Sequence, residues 1–201
     1  MTTFDAPLIL VAAPTRCGTT MITWLLHLHG AWIGEAKITK APETNPPVGT
    51  ENVYLKQYLK TCAPMPHDFK ERLNDIYQGD GEPWVMKTAL LLEKQEAFKH
   101  NYPDARWLLP KRPLEDIVAS KMRHPGMKSR GEQVNKLRTM RHIDLQDRVK
   151  RWANNFLEVA CDELATGNEH VAKELVEFAG LEFRPAIYRE WIQPERWNNG
   201  R

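Results

Sequence analysis

Arg16 stands inside a turn of small residues, Pro14-Thr15-Arg16-Cys17-Gly18-Thr19-Thr20, at the end of the apolar run Leu8–Ala13. An apolar helix, Met21 to His29, follows at once. A strand, a tight turn and a helix start in that order make an anion cradle. First-turn N–H groups point at the ligand, and the helix dipole favours negative charge. A nucleotide-triphosphate loop has the form G-x-x-x-x-G-K-[ST]. Aligned on Gly18, this chain has Ala13 at the first glycine and Thr19 at the lysine, and it carries its cation at Arg16. The chemistry implied is capture of a phosphate-like group other than that of Mg-ATP.

Two further apolar runs also end in cations: Trp84-Val85-Met86-Lys87-Thr88 in Lys87, and Trp107-Leu108-Leu109-Pro110-Lys111-Arg112 in Lys111 and Arg112. A Mg-nucleotide enzyme wants a carboxylate at a strand end to hold its metal. Here those places are basic, so the expected ligand is polyanionic and held without a metal. Ser120 lies about two helical turns beyond Arg112, on the same side of the next helix. A cation at the helix start and a hydroxyl down its face can hold a second phosphate. No His, Cys or carboxylate residues have metal-ligand spacing, so no metal site is expected.

Positioning these residues requires buried strands that end together. Leu8–Ala13 reads as a strand covered on both faces, Trp84–Thr88 and Arg106–Pro110 as two more, and Ala31–Gly34 as a short additional one. A helix is predicted from Thr19 to about His29, with Ile22, Leu25, Leu26 and His29 on one stripe, which makes His29 a core histidine rather than a base. Others are predicted over Glu51–Lys60, His67–Gln78 and Leu91–Asn101, and from Pro113 to about Arg123. The pattern is helical and basic from Lys128 to Leu164, and helical again over Asn168–Ala179 with Gly180 as its stop. Alternating strands and helices predict an α/β fold: three layers, α/β/α, around a mostly parallel sheet, P-loop NTPase-like at its first unit, with a helical C-terminal part.

With 201 residues the chain suits one domain, 1–201, in which about 124–165 would form a helical lid or substrate-side segment. The net charge of +2 gives no reason to expect nucleic acid as a partner. Three cysteines without C-x-x-C spacing fit a reducing compartment. Neither a signal peptide nor a membrane-length apolar run is legible, so the expectation is a cytoplasmic protein with no membrane partner.

In this order the motifs resemble those of the PAPS-dependent sulfotransferases, which move a sulfuryl group from 3′-phosphoadenosine 5′-phosphosulfate (PAPS) to a hydroxyl or amine. Pro14–Thr20 is similar to the family's 5′-phosphosulfate loop, P-K/R-S-G-T-T/S, and Lys111–Ser120 to its 3′-phosphate motif, R-[DN]-P followed by a serine. Val85-Met86-Lys87-Thr88 and Tyr102-Pro103-Asp104-Ala105-Arg106 resemble its lysine-ended strand and its F-P-D-A-R segment. Cys161-Asp162-Glu163-Leu164 and Leu175–Leu181 resemble its Y-E-D-L and F-L-G-L blocks.

The resemblance implies a role for each matched position. Arg16, the N–H groups from Cys17 through Gly18 to Thr20, and the Thr19 and Thr20 hydroxyls would hold the 5′-phosphosulfate. Lys111 or Arg112, with Ser120, would hold the 3′-phosphate. Lys87 would neutralise the bridging oxygen as it leaves. Glu35, in the pair Gly34-Glu35, is the candidate base, with Glu43 next. The product would be 3′-phosphoadenosine 5′-phosphate, and the acceptor a small molecule or glycan that no residue pattern names. The chain departs from the family at three places. Cys17 replaces a serine. Lys111 stands where the arginine is usual, while Arg112 keeps the spacing to serine. Ala89 occupies the position of the cytosolic branch's histidine base. Three other readings compete: a kinase lacking its loop lysine and strand-end acid, a cysteine phosphatase with Thr23 at its arginine position, and a non-catalytic binder of phosphorylated ligands.

Overall fold

A computed structural model describes residues 6–34, 53–61, 68–77 and 79–192. Its centre is β1 (Leu8–Val11), four buried aliphatic residues that can be satisfied only by strands on both edges and helices on both faces. Strand β2 (Trp84–Lys87) pairs along one edge, and β3 (Arg106–Lys111) along the other. Strand β4 (Phe156–Ala160) pairs with β3, giving the order β2-β1-β3-β4. Every pairing among these strands is parallel, as the alternation of strands and helices requires.

The period of two in the strands splits the core in two. Leu8, Leu10, Trp84, Met86, Trp107 and Leu109 face one side. Ile9, Val11, Val85, Leu108 and Val159 face the other. The first side is covered by α2 (Val53–Thr61), α3 (Phe69–Ile76), α4 (Leu90–Glu93), α5 (Gln95–Asn101) and the C-terminal part of the long helix α8 (Glu132–Trp152). The second is covered by α1 (Thr19–Leu28), with α9 (Cys161–Ala165), α10 (Glu169–Phe178) and α11 (Pro185–Trp191). Between β3 and β4 run α6 (Leu114–Arg123), α7 (Pro125–Lys128) and α8 (Glu132–Trp152). The result is three layers, α/β/α. Each fully buried Leu or Ile in them is worth about 1.5–3 kcal/mol relative to exposure.

The local signals mostly act as their chemistry predicts. Pro113 caps α6, and Asn168 caps α10 by accepting from the N–H groups of His170 and Val171. Gly180, at φ 79, sits just beyond the end of α10. His29 is buried, its Nδ1 2.8 Å from the Leu25 carbonyl, and stacks on Phe183.

Three expectations need correction. The helical reading of Lys128–Leu164 fails over Phe156–Ala160, which is β4. The chain leaves α8 at Ala153 in an extended conformation (φ -75, ψ 126), and Trp107 N donates to the Asn155 carbonyl at 2.8 Å, drawing the segment onto the sheet. The helix read over Leu91–Asn101 is two, divided at Lys94 (φ -108, ψ 14). Ala31–Gly34 is no strand; Trp32 makes a single parallel bridge with Trp84. Helix α11 lies beyond the elements read from the sequence.

Candidate anion-binding site at the strand ends

The chain leaves β1 for β2 on one side and then crosses to β3 on the other. The C-terminal end of β1 is therefore a topological switch point, where open α/β sheets form ligand crevices. The loop Pro14–Gly18 fills that place. Arg16 has φ 74, the only positive φ among the described non-glycine residues, and Gly18, which caps α1, has φ 82. Left-handed residues in a tight turn draw successive N–H groups toward one point, the geometry of an anion nest. Gly18 also has no room for a side chain. A Cβ there would lie 2.7 Å from Cys161 Sγ and 2.9 Å from Cys161 Cβ.

Cys17 is not a nucleophile in this setting. Its thiol is buried and donates to the Pro110 carbonyl at 3.2 Å. Burial, the largest cause, pushes its pKa up to about 12, so it stays neutral near pH 7. Its small size lets the loop pack against β3 instead. Cys161, at the start of α9, donates to the Cys17 carbonyl at 3.1 Å, and burial raises its pKa as well. A thiolate enzyme built on Cys17 is thereby disfavoured.

The cations converge on this loop from three strand ends. Arg16 Nε donates to Ser120 Oγ at 3.1 Å, joining the first loop directly to α6. Arg112 Nη1 donates to the Arg16 carbonyl at 3.4 Å. Arg112 Nε is buried without a hydrogen-bond partner among the described residues, and it lies 3.8 Å from Asp162 Oδ1. Lys87 is buried at the end of β2, and its Nζ donates to Thr20 Oγ1 at 3.0 Å. Partial burial lowers the Arg16 pKa, and the charges of Arg112 and Arg123 lower it further. Such a cluster repels itself, and an anion among its members would relieve that repulsion.

Lys111 goes elsewhere. Its Nζ lies 2.6 Å from Glu158 Oε2, and the same carboxylate takes Lys150 at 2.9 Å. Burial opposes ionisation of Glu158, but the hydrogen bonds from Lys111 and Lys150 outweigh it and hold the carboxyl below its usual range. The structure thus brings together Arg16, Cys17, Gly18, Thr20, Lys87, Arg112 and Ser120, with Thr19 in the first turn of α1, and turns Lys111 toward an ion pair. Glu35 and Glu43 lie outside the described residues.

Two buried polar residues here carry no sequence motif. Lys121 Nζ donates to Thr139 Oγ1 at 2.6 Å; burial, then Arg130 and Arg138, lower its pKa. Gln146, on α8, donates from Nε2 to the Ala12 carbonyl at 2.9 Å and to the Pro110 carbonyl at 3.2 Å. The signal that could have found them is the stripe Asn135, Thr139 and Gln146 on α8, polar at positions where a helix packed on a sheet would be apolar. A cavity of 440 Å³ adjoins the site between α8 and the ends of β3 and β4, with Cys17, Arg112, Gln146 and Cys161 in its walls.

Among the described residues, no group of three His, Cys, Asp or Glu comes together as a metal ion would need, and no helix is long and apolar enough to cross a membrane. No protein-family model and no curated protein sequence matches the chain. In three dimensions it is similar to the sulfotransferase STF9 from Mycobacterium avium, with a TM-score of 0.59 and 14% identity, over 94% of this chain and 68% of that one. The architecture is therefore the sulfotransferase type of P-loop-like α/β fold. At that identity the likeness is one of fold.

Proposed function

We propose that the chain is a PAPS-dependent sulfotransferase that transfers a sulfuryl group to a hydroxyl or amine without a metal ion. The observation that carries this reading is the bond from Arg16 Nε to Ser120 Oγ, with Arg112 bonded to the Arg16 carbonyl and its Nε lacking a hydrogen bond. In this reading a 5′ site at the Gly18 turn and a 3′ site at the start of α6 adjoin through that bond. What fits the donor is charge: Arg16, Lys87 and Arg112 converge on the Gly18 turn, and Arg112 Nε has no hydrogen-bond partner among the described residues. A doubly phosphorylated adenylate would supply acceptors to these cations.

In this reading the first-turn N–H groups and Arg16 hold the 5′-phosphosulfate, while Arg112 and Ser120 hold the 3′-phosphate. Lys87 delivers positive charge to the bridging oxygen of the leaving phosphate as the S–O bond breaks. Glu35 takes the acceptor's proton as the new S–O bond, or S–N bond for an amine, forms. Sulfuryl transfer asks the protein chiefly to position and to stabilise charge. Fixed cations and backbone dipoles supply both.

The test is thermal. Adenosine 3′,5′-bisphosphate at 100 times its Kd, with no metal, stabilises by about 2.7 kcal/mol, roughly 5–11 °C for a chain of this size. Mg-ATP gives little shift. The reverse pattern favours a kinase. Glu35→Gln retains the bisphosphate shift and loses transfer from labelled donor to a panel of hydroxyl and amine acceptors. A bisphosphate shift with no transfer by the wild type to any acceptor leaves a non-catalytic binder. Normal transfer by Glu35→Gln removes that residue as base.

Arg112 and Lys111 separate cleanly in this scheme. Charged hydrogen bonds are worth about 1.5–3 kcal/mol, so Arg112→Ala weakens bisphosphate binding about 10–100-fold and leaves 5′-AMP nearly unchanged. Lys111→Ala breaks an ion pair whose lysine is largely exposed and moves either affinity by less than about fivefold. Calorimetric titration of both variants with both nucleotides decides it. The opposite pattern assigns the 3′-phosphate to Lys111.

A further inference from the structure

We infer that Gln146 is a positioning residue that sets the distance between the two phosphate sites. The chain would then tell a nucleoside bisphosphate from a monophosphate partly through a side chain that touches neither phosphate. The inference rests on the donor reading above.

Strands β1 and β3 are in register through Val11 and Leu108, and Ala12 N donates to the Leu108 carbonyl at 3.0 Å. Beyond that bond the strands part. One turns into the Gly18 loop, and the other runs on to Arg112. Pro110 has no N–H with which to join them. Helix α8 supplies the missing donor: Gln146 Nε2 bonds the Ala12 carbonyl on one strand and the Pro110 carbonyl on the other. Only an NH₂ can donate to two carbonyls, so the amide's orientation is fixed by chemistry. Gln146 is 8% exposed, which leaves water little room to replace it.

Three other side-chain bonds cross between the two sites, one of them Arg16 Nε to Ser120 Oγ at 3.1 Å. Cys17 Sγ donates to the Pro110 carbonyl at 3.2 Å, and Arg112 Nη1 to the Arg16 carbonyl at 3.4 Å. A thiol is a weak donor, and in the donor reading Arg16, Ser120 and Arg112 turn to the ligand when both phosphates are bound. Gln146 is the strong donor that stays in place through binding. A ligand with two phosphates gains over one with a single phosphate only where both sites stand at the matching distance, as for any two-point attachment. Loosening the clasp therefore removes the advantage of the second phosphate and leaves each site able to bind alone.

Calorimetric titration of the full chain with adenosine 3′,5′-bisphosphate, 5′-AMP and 3′-AMP tests this in the wild type, Gln146→Met and Gln146→Glu. Methionine keeps the length and removes both donors; glutamate keeps the shape and presents only acceptors at neutral pH. The expected result is an affinity for the bisphosphate lowered at least about tenfold in both variants, the order of one lost buried hydrogen bond, with both monophosphates within about threefold of wild type. Equal weakening of all three nucleotides, or an unchanged ratio, overturns the inference. A wild type that does not prefer the bisphosphate sinks the donor reading first, before any variant is made, and this inference with it. Should neither variant fold, hydrogen exchange of the Gln146 side-chain amide in the wild type replaces them. Exchange should slow more with the bisphosphate than with either monophosphate, and equal slowing by all three overturns the inference.

Discussion

Lys87→Met is expected to lower turnover about 10²–10³-fold, a loss of roughly 3–4 kcal/mol of transition-state stabilisation, while weakening bisphosphate binding by less than about tenfold. The asymmetry follows from where the ammonium sits. It is buried at the end of β2 and reaches the Thr20 hydroxyl at 3.0 Å, in the first turn of α1. Charge there matters most when the leaving phosphate takes up the electrons of the broken bond, and less when the donor merely rests in the loop. The measurement is kcat for transfer from labelled donor to an acceptor found by the panel screen, with calorimetric binding of the bisphosphate as control. Unchanged kcat would make Lys87 a structural support for Thr20. A loss confined to donor affinity would make it part of the cradle alone.

Gly18→Ala is expected to damage both stability and binding. The residue is held at φ 82, which costs a residue with a Cβ about 1–2 kcal/mol. The added methyl meets Cys161 Sγ at 2.7 Å and Cβ at 2.9 Å, on the buried first residue of α9 that cannot swing aside. Overpacking of that kind costs about 1–3 kcal/mol more. Together these lower Tm by roughly 4–20 °C, and the displaced N–H groups lose the bisphosphate shift. Combining the change with Cys161→Ala removes the Sγ contact but leaves the Cβ contact at 2.9 Å and the backbone cost, so it restores only part of the Tm. A Gly18→Ala protein with native Tm and native nucleotide binding would contradict the loop geometry.

How much of this was legible in the chain depended on what each residue's neighbours are. The strands β1, β2 and β3 could be read because both faces are covered and their runs are unbroken by polar residues. β4 could not, because Glu158 interrupts it and four of its five residues are only partly buried; the helical pattern of α8 was simply carried through. Helix α8 misleads by its own periodicity. Val134, Leu137 and Met140 face solvent at 42%, 56% and 44% exposure, while Asn135, Thr139 and Gln146 are turned inward. A rule that places apolar side chains inside therefore orients its first half the wrong way round. At the site, the turn at Gly18 and the cations at strand ends were visible as types and spacings. Their meeting was not: which of Lys111 and Arg112 turns toward the Gly18 loop is decided by Glu158, which takes the lysine and leaves Arg112 to the Arg16 carbonyl.

The bonds that assemble the crevice span most of the chain. Arg16 and Ser120 are 104 residues apart, Cys17 and Pro110 are 93, and Cys161 and Cys17 are 144. No fragment that ends before Pro110 contains any of them, and none that ends before Cys161 contains all three. A nucleotide therefore meets the complete two-phosphate crevice only when the chain is in place as far as α9. It acts as a lock rather than a scaffold: its binding energy is added to the unfolding of the entire molecule at once, and its occupancy reports that the molecule is finished.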